Sequence, residues 1–208
     1  MEWRLVLSDQ RPEVLEPWRL QFEEIPEAEI LAADALGAPG DALLVPGNSF
    51  GFLDRGFELR VVETYGFEVQ DALRARIRGE FFGELLVGQA VVIETPKAPR
   101  PIVYAPLWRV PSRLEGTVNV YLAVRGALLA LRREGASEGA KRLVVPALGI
   151  GPPGDLHPGI SARQARYAYE VVTGRRGFGD KNLSQIARRQ KKLQSIPGSL
   201  RGEDAGDS

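Results

Sequence analysis

Residues 41–58 decide the fold, and they read Asp-Ala-Leu-Leu-Val-Pro-Gly-Asn-Ser-Phe-Gly-Phe-Leu-Asp-Arg-Gly-Phe-Glu. The apolar run 42–45 is typical of a strand buried on both faces, and Pro46-Gly47 predicts that this strand ends just before Asn48. Downstream, apolar residues at roughly helical spacing predict a helix that is broken near Gly66. These residues are Leu59, Val62, Val69, Leu73 and Ile77. The loop therefore lies at the carboxyl end of a strand, where open α/β sheets bind ligands.

The segments before this stretch predict a sheet edge. Residues 3–7 and 18–22 alternate apolar with polar side chains, which predicts a β-hairpin with its turn at Arg11-Pro12. Residues 28–36 predict one short helix.

The segments after this stretch alternate between strands and helices. Residues 85–95, 101–105 and 142–146 are apolar and rich in β-branched side chains, which predicts strands. Thr117 is expected to cap a helix that ends at Gly135, and Ser161 to cap another with Gln164 completing a capping box. The buried face predicted for the first helix consists of Val118, Tyr121, Leu122, Leu128, Leu129 and Leu131. This alternation favours a three-layer α/β/α fold with a mixed central sheet.

The composition narrows the classes of function. With 208 residues, 44% of them hydrophobic, the chain is long enough for one well-packed domain, and 27 cationic residues balance 27 anionic ones. The absence of cysteine excludes disulfides, thiolate nucleophiles and zinc-thiolate sites, and the single histidine, His157, excludes a multi-histidine metal centre. His157 lies beside Pro158, which favours a surface loop over a catalytic triad. We expect neither a metal nor a cofactor.

The ends of the chain suggest a soluble protein with a tail. No leader pattern and no apolar run of membrane-spanning length occurs, so a cytoplasmic protein without membrane contact is expected. We predict a domain over residues 1–174, a basic helical extension over 175–196 and a disordered tail over 197–208. If the protein binds nucleic acid, we expect it to do so only through the basic extension. A solvated helix docked on the domain is the simpler interpretation of that segment.

A second glycine loop carries the string Gly149-Ile-Gly-Pro-Pro-Gly154, which matches the G-x-G-x-x-G pattern. No strand follows it, so a dinucleotide-binding βαβ unit is disfavoured. Glycine still allows backbone amides to approach an anion, and a diphosphate is the natural guest. The donors would be Gly149, Ile150, Gly151 and Gly154, since Pro152 and Pro153 lack amide protons. A tight structural turn is the alternative.

Together the two loops resemble those of the macrodomain family. The run 45–58 is similar to the family's Asn-containing first loop, and Pro-Ala-Leu-Gly-Ile-Gly at 146–151 is similar to its phosphate-holding second loop. Tyr-Ala-Pro at 104–106 and Ala-Arg-Gln at 162–164 suit the subgroup whose first loop reads Asn-Ser-Phe-Gly. The resemblance covers about residues 18–173. It implies a three-layer α/β/α domain that binds ADP-ribose at the carboxyl ends of its strands.

The resemblance also implies a role for each part of the site. Asn48, Gly51 and the backbone of residues 54–56 would surround the distal ribose, and the second loop would cradle the diphosphate. Glu24-Ile25 would stand where many members have an Asp-Ile pair that recognises adenine. The ligand-binding residues predicted in this way are Glu24, Ile25, Asn48, Ser49, Gly51, Asp54, Gly56, Gly149, Ile150 and Gly151.

The resemblance leaves catalysis open. Some members hydrolyse ADP-ribosyl esters, O-acetyl-ADP-ribose or ADP-ribose phosphate, and others only bind. Asn48 and Glu58 are the candidate catalytic residues, with Glu58 in place of the family's aspartate and Asp54-Arg55-Gly56 in place of its consecutive glycines. A glycosidase pair of Asp54 and Glu58 is disfavoured, because their spacing does not fix the separation of the carboxylates. The candidates for stacking on adenine are Tyr104, Trp108, Tyr167 and Tyr169, and packing in the core is the alternative role for each of them.

Three hypotheses follow. The first is an ADP-ribose-binding protein that hydrolyses ADP-ribosylated substrates. The alternative is a non-catalytic reader of ADP-ribosylated protein or nucleic acid, and the third is an interaction scaffold that has lost the ligand.

Overall fold

The computed structural model describes residues 3–94, 98–134, 141–177 and 182–198. Within these ranges the chain forms β1 (Trp3–Asp9), α1 (Pro12–Phe22), β2 (Ala28–Ala32), β3 (Ala42–Asn48), α2 (Gly56–Tyr65), α3 (Glu68–Glu80), β4 (Val91–Ile93), β5 (Ile102–Trp108), α4 (Asn119–Glu134), β6 (Lys141–Val145), α5 (Pro158–Thr173) and α6 (Leu183–Gln194). The strands form one sheet in the order β2-β1-β6-β3-β5-β4, and β4 alone is antiparallel to its neighbour. No helix in these ranges combines the length and the hydrophobicity that crossing a bilayer requires.

Helices cover both faces of this mixed sheet. Successive side chains of a strand point to opposite faces. In β3, Ala42 and Leu44 therefore join the core formed with α1, α4 and α5, whereas Leu43 and Val45 join the core formed with α2 and α3. Helix α6 lies outside these layers, against α5. The predicted three-layer α/β/α architecture is confirmed.

The predicted hairpin at the amino terminus is wrong in its second half. Residues 12–22 form α1, whose buried side chains are Val14, Leu15, Trp18 and Phe22. Their spacing is helical, and Leu20, which the alternating pattern would bury, is exposed. Pro12 occupies the first turn, where its missing amide proton breaks no hydrogen bond.

The short helix predicted over residues 28–36 is also wrong. Residues 28–32 form β2, which pairs in parallel with β1 from Leu5↔Ala28 to Asp9↔Ala32. Every residue of β2 retains some exposure, because the strand lies at the sheet edge. Its hydrophobic pattern is therefore too weak to indicate a strand, and pairing with β1 specifies the strand instead.

The strand β3 runs through Pro46-Gly47 to Asn48, so the prediction that it ends before Asn48 is wrong. The amide of Leu43 donates to Pro101 O at 3.0 Å, which turns the odd-numbered amides of β3 towards β5. The missing amide proton of Pro46 therefore faces β6, which pairs with β3 only at Ala42 and Leu43. Proline interrupts no ladder hydrogen bond there.

The remaining strands and the helices next to them follow the prediction more closely. Strands β5 and β6 are confirmed, as are α2 and α3 with the break at Gly66. The strand predicted over residues 85–95 shortens to β4, with residues 85–90 forming a loop, and Thr95 lies outside the described residues.

The starts of α4 and α5 differ from the prediction. Thr117 Oγ1 accepts from the amide of Asn119 at 3.4 Å, but of the side chains predicted to be buried on α4 only Leu128 and Leu131 are. Helix α5 begins at Pro158, and His157 caps it by accepting from Gly159 N at 3.0 Å. Ser161 is therefore not the cap, and Gly135 lies outside the described residues.

Candidate functional site

A cleft of about 460 Å³ opens where the parallel strands end. Small-molecule sites typically measure about 300–1,000 Å³. The walls come from the ends of β1 and β5, the residues after β2 and β6, and the start of α2. The lining residues used below are Asp9, Arg11, Asp34, Ala35, Arg55, Gly56, Phe57, Glu58, Arg60, Trp108, Gly149, Ile150 and Gly151.

The second glycine loop forms one wall through its backbone. Gly149 has φ +70°, and a Cβ there would overlap Leu114, so this position requires glycine. Gly149 O accepts from Leu156 N, and Gly151 O accepts from Asp155 N, both at 2.9 Å. Ser161 Oγ donates to Leu148 O at 2.8 Å and thereby fixes the loop to α5. The loop is held from behind while its front faces the cleft.

Residues of this loop and of the first turn of α2 line the cleft with backbone amides that lack an acceptor within the described chain. No described residue accepts a hydrogen bond from the amides of Ile150, Gly151, Gly56 or Phe57. The Arg55 side chain does not cap α2. Donors arranged in this way, with the positive end of a helix dipole behind them, bind anions such as phosphate. The amino-terminal end of α5 does not line the cleft.

Glu58 brings a carboxyl group into the cleft beside these donors. Burial raises its pKa to about 7, and the negative charge of Asp54 adds to this shift, whereas its own backbone amide and Arg55 oppose it. A carboxylate with a pKa near neutrality is suited to accepting a proton from water.

Three arginines add positive charge to the lining: Arg11, Arg55 and Arg60. Arg11 forms two hydrogen bonds of 3.0 Å with Asp9, and Arg60 pairs with Asp34. The pairing leaves the cleft wall electrostatically mixed rather than strongly cationic. Arg11 and Arg60 were not among the residues predicted from the sequence. The signal that identifies them is position, since Arg11 closely follows the end of β1 and Arg60 lies in the first turns of α2.

Neither a protein-family model nor a curated protein sequence matches the chain. Solved structures match its fold. A mutant of the Oceanobacillus iheyensis macrodomain with ADPR superposes with a TM-score of 0.54 at 16% identity, covering 67% of this chain and 75% of that chain. The same macrodomain with MES bound gives 0.54 at 15%, over 77% and 87%. The macrodomain of Thermus aquaticus DarG gives 0.50 at 24% identity, over 67% and 87%.

The chain has the macrodomain fold. With this fold assigned, the first loop is the one around Asn48, and the second loop is the glycine loop after β6.

Asn48 supports the first loop of this macrodomain fold from inside. Its Nδ2 donates to Phe52 O at 2.8 Å, and its Oδ1 accepts from Phe50 N at 3.0 Å and Phe52 N at 3.4 Å. Tyr104 donates its hydroxyl proton to Asn48 O at 2.7 Å. The structure therefore places the Asn48 side chain in the loop and outside the cleft lining.

The other first-loop positions divide into two groups. Gly56 and Glu58 line the cleft, whereas Ser49, Gly51 and Asp54 do not. Gly51 has φ +72°, and a Cβ there would meet Ile77 Cδ1 at 2.8 Å, so it is required for packing against α3. In the second loop, Gly149, Ile150 and Gly151 all line the cleft.

The structure contradicts the placement of the adenine-recognising pair at Glu24-Ile25. These residues precede β2 and lie at the opposite edge of the sheet from the cleft. The Glu24 side chain is 80% exposed and pairs with Arg166, and Ile25 is buried in the core. The residues that follow β2 and line the cleft are Asp34 and Ala35. The prediction of a strand at α1 and of a helix at β2 put the candidate pair before β2 instead of after it.

Arg100 fixes the loop that carries Asp34 and Ala35. Its guanidinium donates to the carbonyl oxygens of Ala35 at 2.8 Å and of Ala38 at 2.5 Å. It also donates to the Tyr65 hydroxyl at 3.1 Å, which joins the loop to α2. One side chain thus orders the cleft wall next to Asp34.

Of the four aromatic residues named from the sequence, only Trp108 lines the cleft, and Phe57 in the first turn of α2 lines it as well. Tyr104 and Tyr169 are fully buried, and Tyr167 packs against Tyr121 with a ring-centroid distance of 5.3 Å. Trp108 and Phe57 are therefore the aromatic residues in the cleft lining. Among the described residues, no group of three or more His, Cys, Asp or Glu side chains is placed to hold a metal ion.

Proposed function

We propose that this cleft binds ADP-ribose, with the diphosphate on the backbone amides of Ile150, Gly151, Gly56 and Phe57. The observation that carries the proposal is the set of amide donors without an acceptor among the described residues, facing a cleft of a macrodomain fold. A matching structure of this fold was solved with ADPR. Diphosphate oxygens would satisfy these amides, which is the chemistry that favours anions at helix amino termini.

Asp34 is our candidate for the adenine end, in place of Glu24. Its Oδ1 accepts from Leu36 N at 3.1 Å, which orients the carboxylate, and Arg60 holds the other oxygen. A carboxylate has about four acceptor sites, so capacity remains for the exocyclic amine of adenine. The distal ribose would then extend towards Glu58 and the first loop.

Hydrolysis of an ADP-ribosyl ester, O-acetyl-ADP-ribose or ADP-ribose phosphate is the activity we infer. Ionised Glu58 would accept a proton from a water molecule that attacks the ester carbonyl. The ester bond would then break, releasing ADP-ribose and a carboxylic acid, with the proton passing to the leaving oxygen. The raised pKa of Glu58 predicts that the rate increases as pH rises through about 7, because only the ionised form accepts a proton.

A non-catalytic reader is the second candidate, and Asn48 favours it. The polar atoms of its side chain are bonded within the first loop, so the proposed catalytic pair of Asn48 and Glu58 does not come together in the cleft. A protein that binds ADP-ribose without turnover would need only the amides.

Calorimetry with ADP-ribose, followed by turnover of ADP-ribosyl esters, tests these candidates in order. Binding with release of ADP-ribose supports the hydrolase, and Glu58→Gln should then lower the rate at least tenfold while the affinity changes less than threefold. Binding without release supports the reader. Absence of a binding heat at about millimolar ligand would mean a binding free energy weaker than about 4 kcal/mol. That result contradicts both the hydrolase and the reader, and leaves the interaction scaffold.

A further inference from the structure

Positive charge is segregated at the carboxyl-terminal end of the described chain. The whole sequence balances 27 cationic with 27 anionic residues, whereas residues 156–208 contain ten arginines and lysines and five carboxylates. Among these carboxylates, Glu170 accepts hydrogen bonds from Arg166 at 2.7 Å and Arg176 at 2.9 Å. The four cations of α6 have no carboxylate in their own helix.

Helix α6 is held in one orientation on the domain. Leu193 is buried, Arg163 Nη1 donates to Lys192 O at 2.7 Å, and Gln164 Nε2 donates to Leu193 O at 3.1 Å. These contacts use main-chain carbonyls and a leucine side chain of α6. The opposite side of the helix is therefore fixed in place facing solvent.

The outward face of α6 is defined by Ser184, Arg188 and Lys191. All three are exposed, and their spacing of four and three residues aligns them along one side of the helix. Arg188 and Lys191 are neighbours of like charge, which destabilises an isolated helix. An anionic partner would offset this repulsion.

We propose that the outward face of α6 binds the phosphate backbone of nucleic acid. Aligned cations next to a hydroxyl are the side chains that contact phosphates. The exposed apolar side chains of α6, Leu183 and Ile186, lie outside this row of polar residues, so the face itself has no large apolar side chain to insert into a bilayer. This surface is separate from the cleft, and the proposal does not depend on ADP-ribose binding.

The position of α6 relates this surface to the cleft. Arg189 donates to the Tyr167 hydroxyl at 2.9 Å near the middle of α6, and Pro197, beyond its end, packs against Gly159 at the start of α5. The two helices are therefore antiparallel, and α6 ends at the same edge of the sheet as the cleft. A polynucleotide on α6 would run towards the cleft.

The test is fluorescence anisotropy of the full chain with an unmodified labelled oligonucleotide of about 20 residues, single-stranded and as a duplex. We expect a salt slope of about −2, from the two cations of this face, so that affinity falls about 12-fold between ~50 and ~200 mM salt. Arg188→Gln combined with Lys191→Gln should reduce affinity about tenfold and bring the slope close to zero.

Arg132→Gln combined with Arg133→Gln is the matched control, because it removes the same charge from the exposed end of α4. Circular dichroism establishes that both double variants are folded. Failure of the wild type to bind either oligonucleotide would overturn the proposal, as would equal losses in the two variants. Preferential binding to phosphatidylcholine vesicles with about 30% phosphatidylserine, or to polyglutamate, would assign the face to a membrane or an acidic protein and likewise overturn it.

Discussion

Glu58 holds its proton more tightly in the folded protein than in water. Burial at the start of α2 raises its pKa from 4.5 to about 7, so folding favours the protonated form. The stabilising contribution is complete below about pH 4.5 and is lost as pH rises through about 7. This residue therefore makes stability depend on pH in the direction opposite to that of a salt-bridged carboxylate.

We predict that Glu58→Gln stabilises the protein relative to the wild type by about 1–3 kcal/mol at pH ~8, with little difference at pH ~4, because glutamine has no charge to bury. Urea denaturation at both pH values measures the difference. Glu63→Gln, on the exposed side of the same helix, is the matched control. A Glu58→Gln difference that does not change with pH would contradict the burial of this carboxyl group.

Gly151 provides a second test at the residue scale. It has φ +79°, and a Cβ there would point into open space. Gly151→Val should lower ADP-ribose affinity at least tenfold, because the side chain blocks the approach of the diphosphate. The backbone strain of a valine at this positive φ should lower the free energy of unfolding by about 1–2 kcal/mol. Calorimetry measures the affinity.

Gly174→Val is the matched control for this substitution. Gly174 ends α5 with φ +76° and an equally open Cβ direction, and it does not line the cleft. Gly174→Val should therefore lose about as much stability as Gly151→Val and retain the wild-type affinity for ADP-ribose. Equal effects of the two substitutions on affinity would contradict the phosphate assignment.

At the scale of elements, strong hydrophobic patterns allowed prediction and weak ones did not. The strand of residues 42–45 and the helices on either side of Gly66 follow from continuous or helical apolar spacing. Helix α1 and strand β2 were exchanged, because short segments satisfy both periods and β2 is specified by its partner β1. That exchange explains why the sequence prediction named Glu24-Ile25 and not Asp34, whereas Gly149, Ile150, Gly151 and Glu58, which it did name, line the cleft.

The loop after β2 depends on Arg100, which gives a prediction at this scale. Arg100→Gln should cost about 2–4 kcal/mol of stability, because several carbonyl oxygens lose a charged donor. Affinity for ADP-ribose should fall several-fold as the wall at Asp34 loosens, whereas competition by inorganic pyrophosphate should be unchanged. Calorimetry with both ligands measures this.

Arg76→Gln is the control for Arg100→Gln. Arg76 lies on α3, away from the cleft, and donates to Val92 O and to the carboxylate of Glu134. It should lose stability and retain affinity for both ligands. Equal loss of pyrophosphate and ADP-ribose binding in Arg100→Gln would show that Arg100 acts on the whole fold.

At the scale of the whole molecule, α6 contributes stability and the cleft does not need it. A chain ending at Gly177 loses the buried Leu193 side chain and one of the two acceptors of Gln164 Nε2, which should lower the free energy of unfolding by about 2–4 kcal/mol. No described residue after Pro153 lines the cleft, so ADP-ribose affinity should be unchanged. Denaturation and calorimetry check both parts, and a folded truncated protein with tenfold weaker affinity would contradict the assignment of the site.

Backbone amides of the second loop and of α2 are proposed to hold the diphosphate. Titration of the ¹⁵N-labelled protein with ADP-ribose, followed through its amide resonances, tests this proposal. We expect the amides of Ile150, Gly151, Gly56 and Phe57 to shift most, and adenosine alone to leave them nearly unmoved. Saturation with ADP-ribose while these four resonances stay in place would contradict it.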